Sequence, residues 1–161
     1  MKLCVLEYML NHENIEYLIA GGYARDKHFG ETPKDIDIFV GDMEAVRRVL
    51  NSTKIAYQDF TNCPEYSGTN RFGSVLKVGD IDIIEIAEEA RSPLDQVQRF
   101  FDFNVNQFII LNGHATFVGK DYGNLSRSSK EPITVEREDK IRAKATKFGW
   151  ELPEKELDIF G

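Results

Sequence analysis

Asp35 and Asp37 stand one residue apart in PKDIDIFV, an alternating apolar stretch that reads as a β-strand. Side chains at i and i+2 on a strand share a face, so both carboxylates point together while Ile36 and Ile38 point to the other side. Like charges held that close repel unless a cation sits between them. Two hard oxygen donors on a rigid strand suit Mg²⁺, which takes one or two carboxylates and fills its remaining places with phosphate oxygens and water. Upstream, the short apolar run EYLIA ends at Gly21-Gly22, where backbone N–H groups can approach an anion with no Cβ in the way. A phosphate cradle beside a Mg²⁺-binding pair is the equipment of metal-assisted phosphoryl or nucleotidyl transfer. A lone Gly-Gly or a lone Asp-x-Asp is common by chance. Together, with twelve residues between Gly22 and Asp35, they are far more specific.

The elements that must hold these groups follow from periodicity and turn chemistry. Leu3, Leu6, Met9 and Leu10 recur at helical spacing, which predicts a helix over 2–12. A strand ending at Gly21-Gly22 follows, then a helical turn over 23–29 closed by Gly30, and then the strand DIDIFV. Asp42 is the expected N-cap of a helix over MEAVRRVLN. The polar stretch TNCPEYSGTN reads as a loop, and RFGSVLKVGDIDIIEIA as a hairpin broken at Gly79-Asp80. Ser92-Pro93 opens a helix over LDQVQRFF. NVNQFIIL and HATFVG flank Asn112-Gly113, the strongest short turn signal in the chain. REDKIRAKATKFGW is helical, with Ile141, Ala145 and Phe148 on one stripe. The expected result is a single α+β domain over 1–161, with a mixed or antiparallel sheet flanked by helices. Its core is expected over about 14–119, with a C-terminal helical segment over about 120–161.

Composition narrows the function classes. With 42% apolar and 29% charged residues and a net charge of −7, the chain is an ordinary globular one with no global attraction for polyanions. Residues 120–147 nevertheless hold eight Lys/Arg against five Asp/Glu. A local basic segment near the C-terminus is thus possible, although a charge run of this size reads first as a solvated helix face. Cys4 and Cys63 lie far apart without a metal-ligand pattern and read as reduced thiols. The start MKLCVLEYML is no signal peptide and no stretch approaches membrane-spanning length, so a cytoplasmic protein is expected. His12, His28 and His114 are scattered, and no Ser-His-Asp or Cys-His spacing suggests a nucleophilic hydrolase.

GGYARD followed by PKDIDIFV resembles the nucleotidyltransferase superfamily (polymerase-β-like fold). The likeness is nearest to the head domain of the tRNA CCA-adding and bacterial poly(A) polymerase branch. That resemblance implies an enzyme using a nucleoside triphosphate (NTP) and Mg²⁺, in a two-metal site. It implies that Gly21, Gly22, Arg25 and Asp26 hold the triphosphate and that Asp35 and Asp37 bind metal. A third carboxylate is expected from the next hairpin. Asp82, which shares a face with Ile84 and Ile86, is preferred over Glu85 because hydrophobic-Asp-hydrophobic is the family's usual form. RFFDFNVNQ resembles the family's Arg-Arg-Asp-Phe-Thr-Ile-Asn segment, so Asp102 and Asn106 are expected at the nucleotide; Phe101 replaces the arginine before the aspartate. EDKIR resembles the Glu-Asp-x-x-Arg pattern that reads the incoming base, which implies that role for Asp139 and Arg142. A surface salt bridge is the other reading of that pair.

The resemblance covers roughly residues 14–150. CCA-adding enzymes continue into a helical body that grips tRNA, so a minimal catalytic head is expected, similar to short nucleotidyltransferase-like proteins of phages and toxin systems. An RNA 3′ end (tRNA by kinship) is the first acceptor, ahead of a protein side chain or a small molecule. A module that binds a nucleotide or a host protein without chemistry is the alternative.

Overall fold

The structure, a computed structural model, describes residues 1–61, 73–87 and 89–154. The expected loop over 61–70, with Cys63, and the first two residues of the expected hairpin, Arg71 and Phe72, lie almost entirely outside them.

Five strands form one mixed sheet in the order β1-β2-β5-β4-β3. They are β1 (Tyr17–Ile19), β2 (Ile36–Val40), β3 (Gln58–Asp59), β4 (Ser74–Val78) and β5 (Ile81–Glu85). The β2–β5 pair is parallel and the other three pairs are antiparallel. A second ribbon, β6 (Phe108–Leu111) and β7 (His114–Phe117), turns at Asn112-Gly113 with both residues at positive φ, as the sequence predicts. It joins the sheet edge through the Ala20–Ile109 bridge.

One face of the sheet is covered by α1 (Leu3–His12) and α3 (Met43–Ser52). Ile38, Val40, Leu76, Val78, Ile81 and Ile83 meet Leu6, Leu10, Met43, Val46 and Leu50 there in one buried cluster. The opposite face carries Asp37, Phe39, Asp82 and Ile84. This alternation locks the register. A one-residue slip of β2 would bury Asp37 against α1 and α3 and expose Ile38 and Val40, at roughly 2 kcal/mol for each aliphatic side chain. A further cluster packs α5 (Val135–Lys147) on β6 through Ile141, Ala145, Phe108 and Trp150.

Most expected caps are present. Asp42 accepts from Ala45 N at 3.0 Å and Ser92 from Asp95 N at 3.1 Å. Two elements differ from expectation. The helix expected over LDQVQRFF is a short α-turn, Pro93–Asp95, running into a wide π-turn, Gln96–Phe100. Buried Gln96 explains its position, donating to Val40 O (2.7 Å) and accepting from Ile86 N (2.8 Å), which pins the turn to β2 and to the exit of β5. Residues 104–106, expected in a strand, form a 3₁₀ turn. There Asn104 holds the 120–126 loop through Lys120 O, Asn124 O and Ser126 N. Helix α5 starts earlier than expected, at Val135, because Thr134 accepts from Arg137 N. Among the described residues no helix is long and apolar enough to cross a membrane.

Candidate active site

The face opposite α1 and α3, where Phe39, Val75 and Ile84 pack with Val97 and Phe101, floors a cleft of about 340 Å³. At its base Asp37 on β2 is the direct parallel partner of Asp82 on β5. Both side chains face the cleft, while Glu85 lies on the other face and accepts from Met43 N at 3.2 Å, at the start of α3. Asp35 precedes the first paired residue of β2 and is exposed. Burial first, then the charges of Asp82 and Asp35, push the Asp37 carboxyl from 3.8 up to about 7, against the pull of Lys77 and Arg25. Burial and the two neighbouring carboxylates both favour the neutral form of Asp37, burial more than the charges.

Gly21 and Gly22 form the adjoining edge. Gly21 has φ +78° and ψ −141°, which L side chains rarely adopt, and its N–H donates to Phe108 O at 2.9 Å. Helix α2 (Gly22–His28) carries Arg25, which is buried. Its guanidinium meets Asp26 at 2.9 Å and donates to Asn106 Oδ1 at 2.6 Å. Arg25 and Asn106 therefore clamp α2 to the turn before β6, and the charge of Arg25 is already matched by Asp26.

Asp102 also lines the cleft, facing Arg137 of α5, whose Nε donates to Oδ2 at 2.9 Å and Nη2 to Oδ1 at 3.4 Å. Lys140 and Lys144 line the same wall. The rest of the surround is apolar: Phe39, Ile84, Ile86, Phe100, Phe101 and Ile141. The site thus combines paired carboxylates, a basic wall and flat apolar surfaces, which suits a ligand with a polyphosphate and a ring.

No protein-family model matches the sequence, and no curated protein matches it either. Solved structures do match. A tRNA-processing enzyme with CTP is similar at 19% identity and a TM-score of 0.54, over 91% of this chain and 42% of that one. The Bacillus stearothermophilus CCA-adding enzyme in complex with CTP is similar at 17% identity and a TM-score of 0.51, over 96% of this chain and 42% of that one. This chain has the fold of the CCA-adding enzymes. It spans less than half the length of those two proteins. The nucleotidyltransferase fold implied by the glycine pair and the Asp-x-Asp is the fold found.

On this CCA-adding enzyme fold the expected site residues divide. Gly21, Gly22, Arg25, Asp37, Asp82, Asp102 and Asn106 all line the cleft. Asp35 does not line it, although its charge acts on Asp37, and Asp26 is tied to it only through Arg25. Asp139 and Arg142 do not line it. Burial of Ile141 and Ala145 sets the rotation of α5, which brings Arg137, Lys140 and Lys144 to the wall of the cleft. Asp139 is exposed, and Arg142 donates to Pro153 O at 3.1 Å. Sequence reasoning missed Arg137, which supplies a guanidinium to Asp102 where the chain carries Phe101 in place of the family's arginine. The excess of Lys/Arg over 120–147 was the available signal. It did not say which of those residues would face inward.

Proposed function

We propose that this protein is a Mg²⁺-dependent nucleotidyltransferase that moves a nucleoside monophosphate from an NTP to an acceptor hydroxyl, with an RNA 3′ end as the favoured acceptor. The observation that carries this reading is the Asp37–Asp82 pair, in register on the cleft face of the sheet beside the Gly21-Gly22 turn. CTP in two similar structures supports an NTP as the donor.

The donor set fits Mg²⁺. Asp37 and Asp82 present hard oxygens to one space, and the part of the Asp37 shift that comes from Asp82 and Asp35 is what a cation would offset. Among the described residues no three His, Cys, Asp or Glu side chains gather into a metal-holding group. Bound there, Mg²⁺ would neutralise the phosphates and lower the pKa of the acceptor hydroxyl.

The chain's own groups do the remaining work. The acceptor O–H gives up its proton, for which Asp82 is the carboxylate this reading assigns. A new O–Pα bond forms, the bond from Pα to the bridging oxygen breaks, and pyrophosphate leaves. Lys140 and Lys144 have no partner among the described residues and supply the positive charge for the polyphosphate, since Arg25 is matched by Asp26. Phe39, Phe101 and Ile141 offer a dry surface to the ring of the nucleotide. The Arg137–Asp102 pair presents adjoining donors and acceptors to its polar edge.

The deciding experiment supplies the four α-labelled NTPs with Mg²⁺ and a cell extract to wild type and Asp37→Ala. Label entering RNA, protein or a small product in wild type alone supports transfer and names the acceptor class. Equal labelling by both proteins would end the mechanism. A nucleotide-binding module without chemistry is the second reading, favoured by the engagement of Asn106 with Arg25. Such a module would bind NTP and release no pyrophosphate.

A further inference from the structure

Phe100 and Phe101 follow one another in the chain, and both line the cleft. The π-turn Gln96–Phe100 ends there and the backbone leaves it extended at Phe101 (φ −68°, ψ 143°), so two successive rings reach one cavity. Turns of this kind are rare and gather at functional sites. The two rings stand in different surroundings. Phe101 is buried, 5.1 Å from the Phe39 ring and packed toward Gly21. Phe100 is half-buried, and the Arg99 guanidinium lies over its ring, 5.0 Å from the centroid. That guanidinium donates to both Asp95 oxygens at 2.7 Å and to Glu89 O at 3.3 Å, which fixes it in place. Ile84 and Ile86 follow Asp82 at i+2 and i+4 and line the cleft with it. Gln96 accepts from Ile86 N and so ties the π-turn to the exit of β5. An apolar shelf therefore leads from Asp82 past Ile84 and Ile86 toward the turn that carries Phe100.

We propose that Phe100 is the stacking platform for the last base of the acceptor, which makes the acceptor a nucleic acid with an unpaired 3′ end. The inference rests on the transfer reaction proposed above and deepens it by giving the acceptor a subsite. Transfer from one nucleotide to another brings two bases to one cleft. Phe39 and Phe101 serve the incoming base beside the glycine turn, which leaves Phe100 for the base whose hydroxyl faces Asp82. An aromatic ring, an arginine plane and a basic wall are the combination with which proteins hold single strands, because every base has a flat face to stack. A base still paired in a duplex keeps its faces against its neighbours, so the end must be single-stranded. A serine or threonine acceptor has no ring to lay on that surface.

The test pairs the ring with the base. A short single-stranded RNA carrying a 5′ dye, and the same RNA lacking its 3′-terminal base, are titrated with wild type, Phe100→Leu and Phe100→Tyr. Binding is read by fluorescence anisotropy in Mg²⁺ without NTP. Leu keeps the apolar bulk without the ring, and Tyr keeps the ring. Wild type and Phe100→Tyr are expected to bind the intact RNA about tenfold more tightly than the abasic one, and Phe100→Leu to bind both alike. Equal binding of the two RNAs by wild type, a preference that survives in Phe100→Leu, or no RNA binding at all would overturn the proposal. If Phe100→Leu does not fold, Phe100→Met decides on the same terms. A ring-dependent preference in a protein that transfers no label would keep the platform and refute the transfer reaction. Label passed to a protein or a small product, with no preference between the two RNAs, would refute the platform alone.

Discussion

Replacing Asp37 with Asn should make the metal-free protein more stable while abolishing transfer. The carboxyl ionises near 3.8 when unperturbed and near 7 in the fold. Between those pH values the unfolded chain has lost this proton and the folded chain keeps it. Folding then takes up a proton, so this group lowers stability progressively as pH rises from about 4 to 7, with no further change above. At about 1.4 kcal/mol per pH unit the full penalty is about 4 kcal/mol. Water in the open cleft screens part of it, which leaves about 2–4 kcal/mol. Asn has the same shape and no charge to bury. In EDTA at pH 8, Asp37→Asn should therefore melt roughly 5–15 °C above wild type, and the gap should close as pH falls toward 4. Denaturant unfolding of both proteins at pH 4.5, 6 and 8 gives the difference directly, because shared titrations cancel. Saturating Mg²⁺ should narrow the gap by stabilising wild type alone. Equal stability at pH 8, or a variant less stable than wild type, would refute the reasoning that Asp37 is held charged against burial and its neighbours' charge.

Three further outcomes follow from named contacts. Asp82→Asn should lower the transfer rate by at least about 100-fold, whereas Glu85→Gln should keep the rate and cost about 1 kcal/mol through its contact with the start of α3; parallel rate assays and melts separate them. Arg25→Met should destabilise by about 3 kcal/mol in urea titration, because it strands Asp26 and Asn106 in a half-buried site. Lys140→Gln combined with Lys144→Gln should raise the KM for NTP about tenfold and shift unfolding by less than about 1 kcal/mol, since neither lysine has a partner among the described residues. A KM unchanged in steady-state kinetics would remove the basic wall from the polyphosphate site.

Much of the fold was legible because its signals are local. Alternation in DIDIFV, the Asn112-Gly113 turn and the caps at Asp42 and Ser92 each depend on residues within one turn or one strand. The two misread elements lie where distant groups intervene. Gln96 reaches across to Val40 and widens its helix into a π-turn, and Asn104 gathers the 120–126 loop and turns its own segment out of the strand.

The sequence by itself determined the chemistry on offer: a glycine turn, a pair of aspartates on a strand, a second acidic strand and a basic C-terminal helix. Tertiary structure alone decided which of these groups meet. Parallel pairing of β2 with β5 puts Asp82 beside Asp37 and turns Glu85 toward α3, and the β4 register brings Lys77 to the same row. Packing of Ile141 and Ala145 turns Arg137 to Asp102 and sends Arg142 to Pro153. Strand register and helix rotation are set by burial of the opposite faces. A slip of one residue reverses a strand, and a rotation of about 100° moves a different helix position into the cleft. Local spacing shows which residues share a face, and the core decides which way that face points.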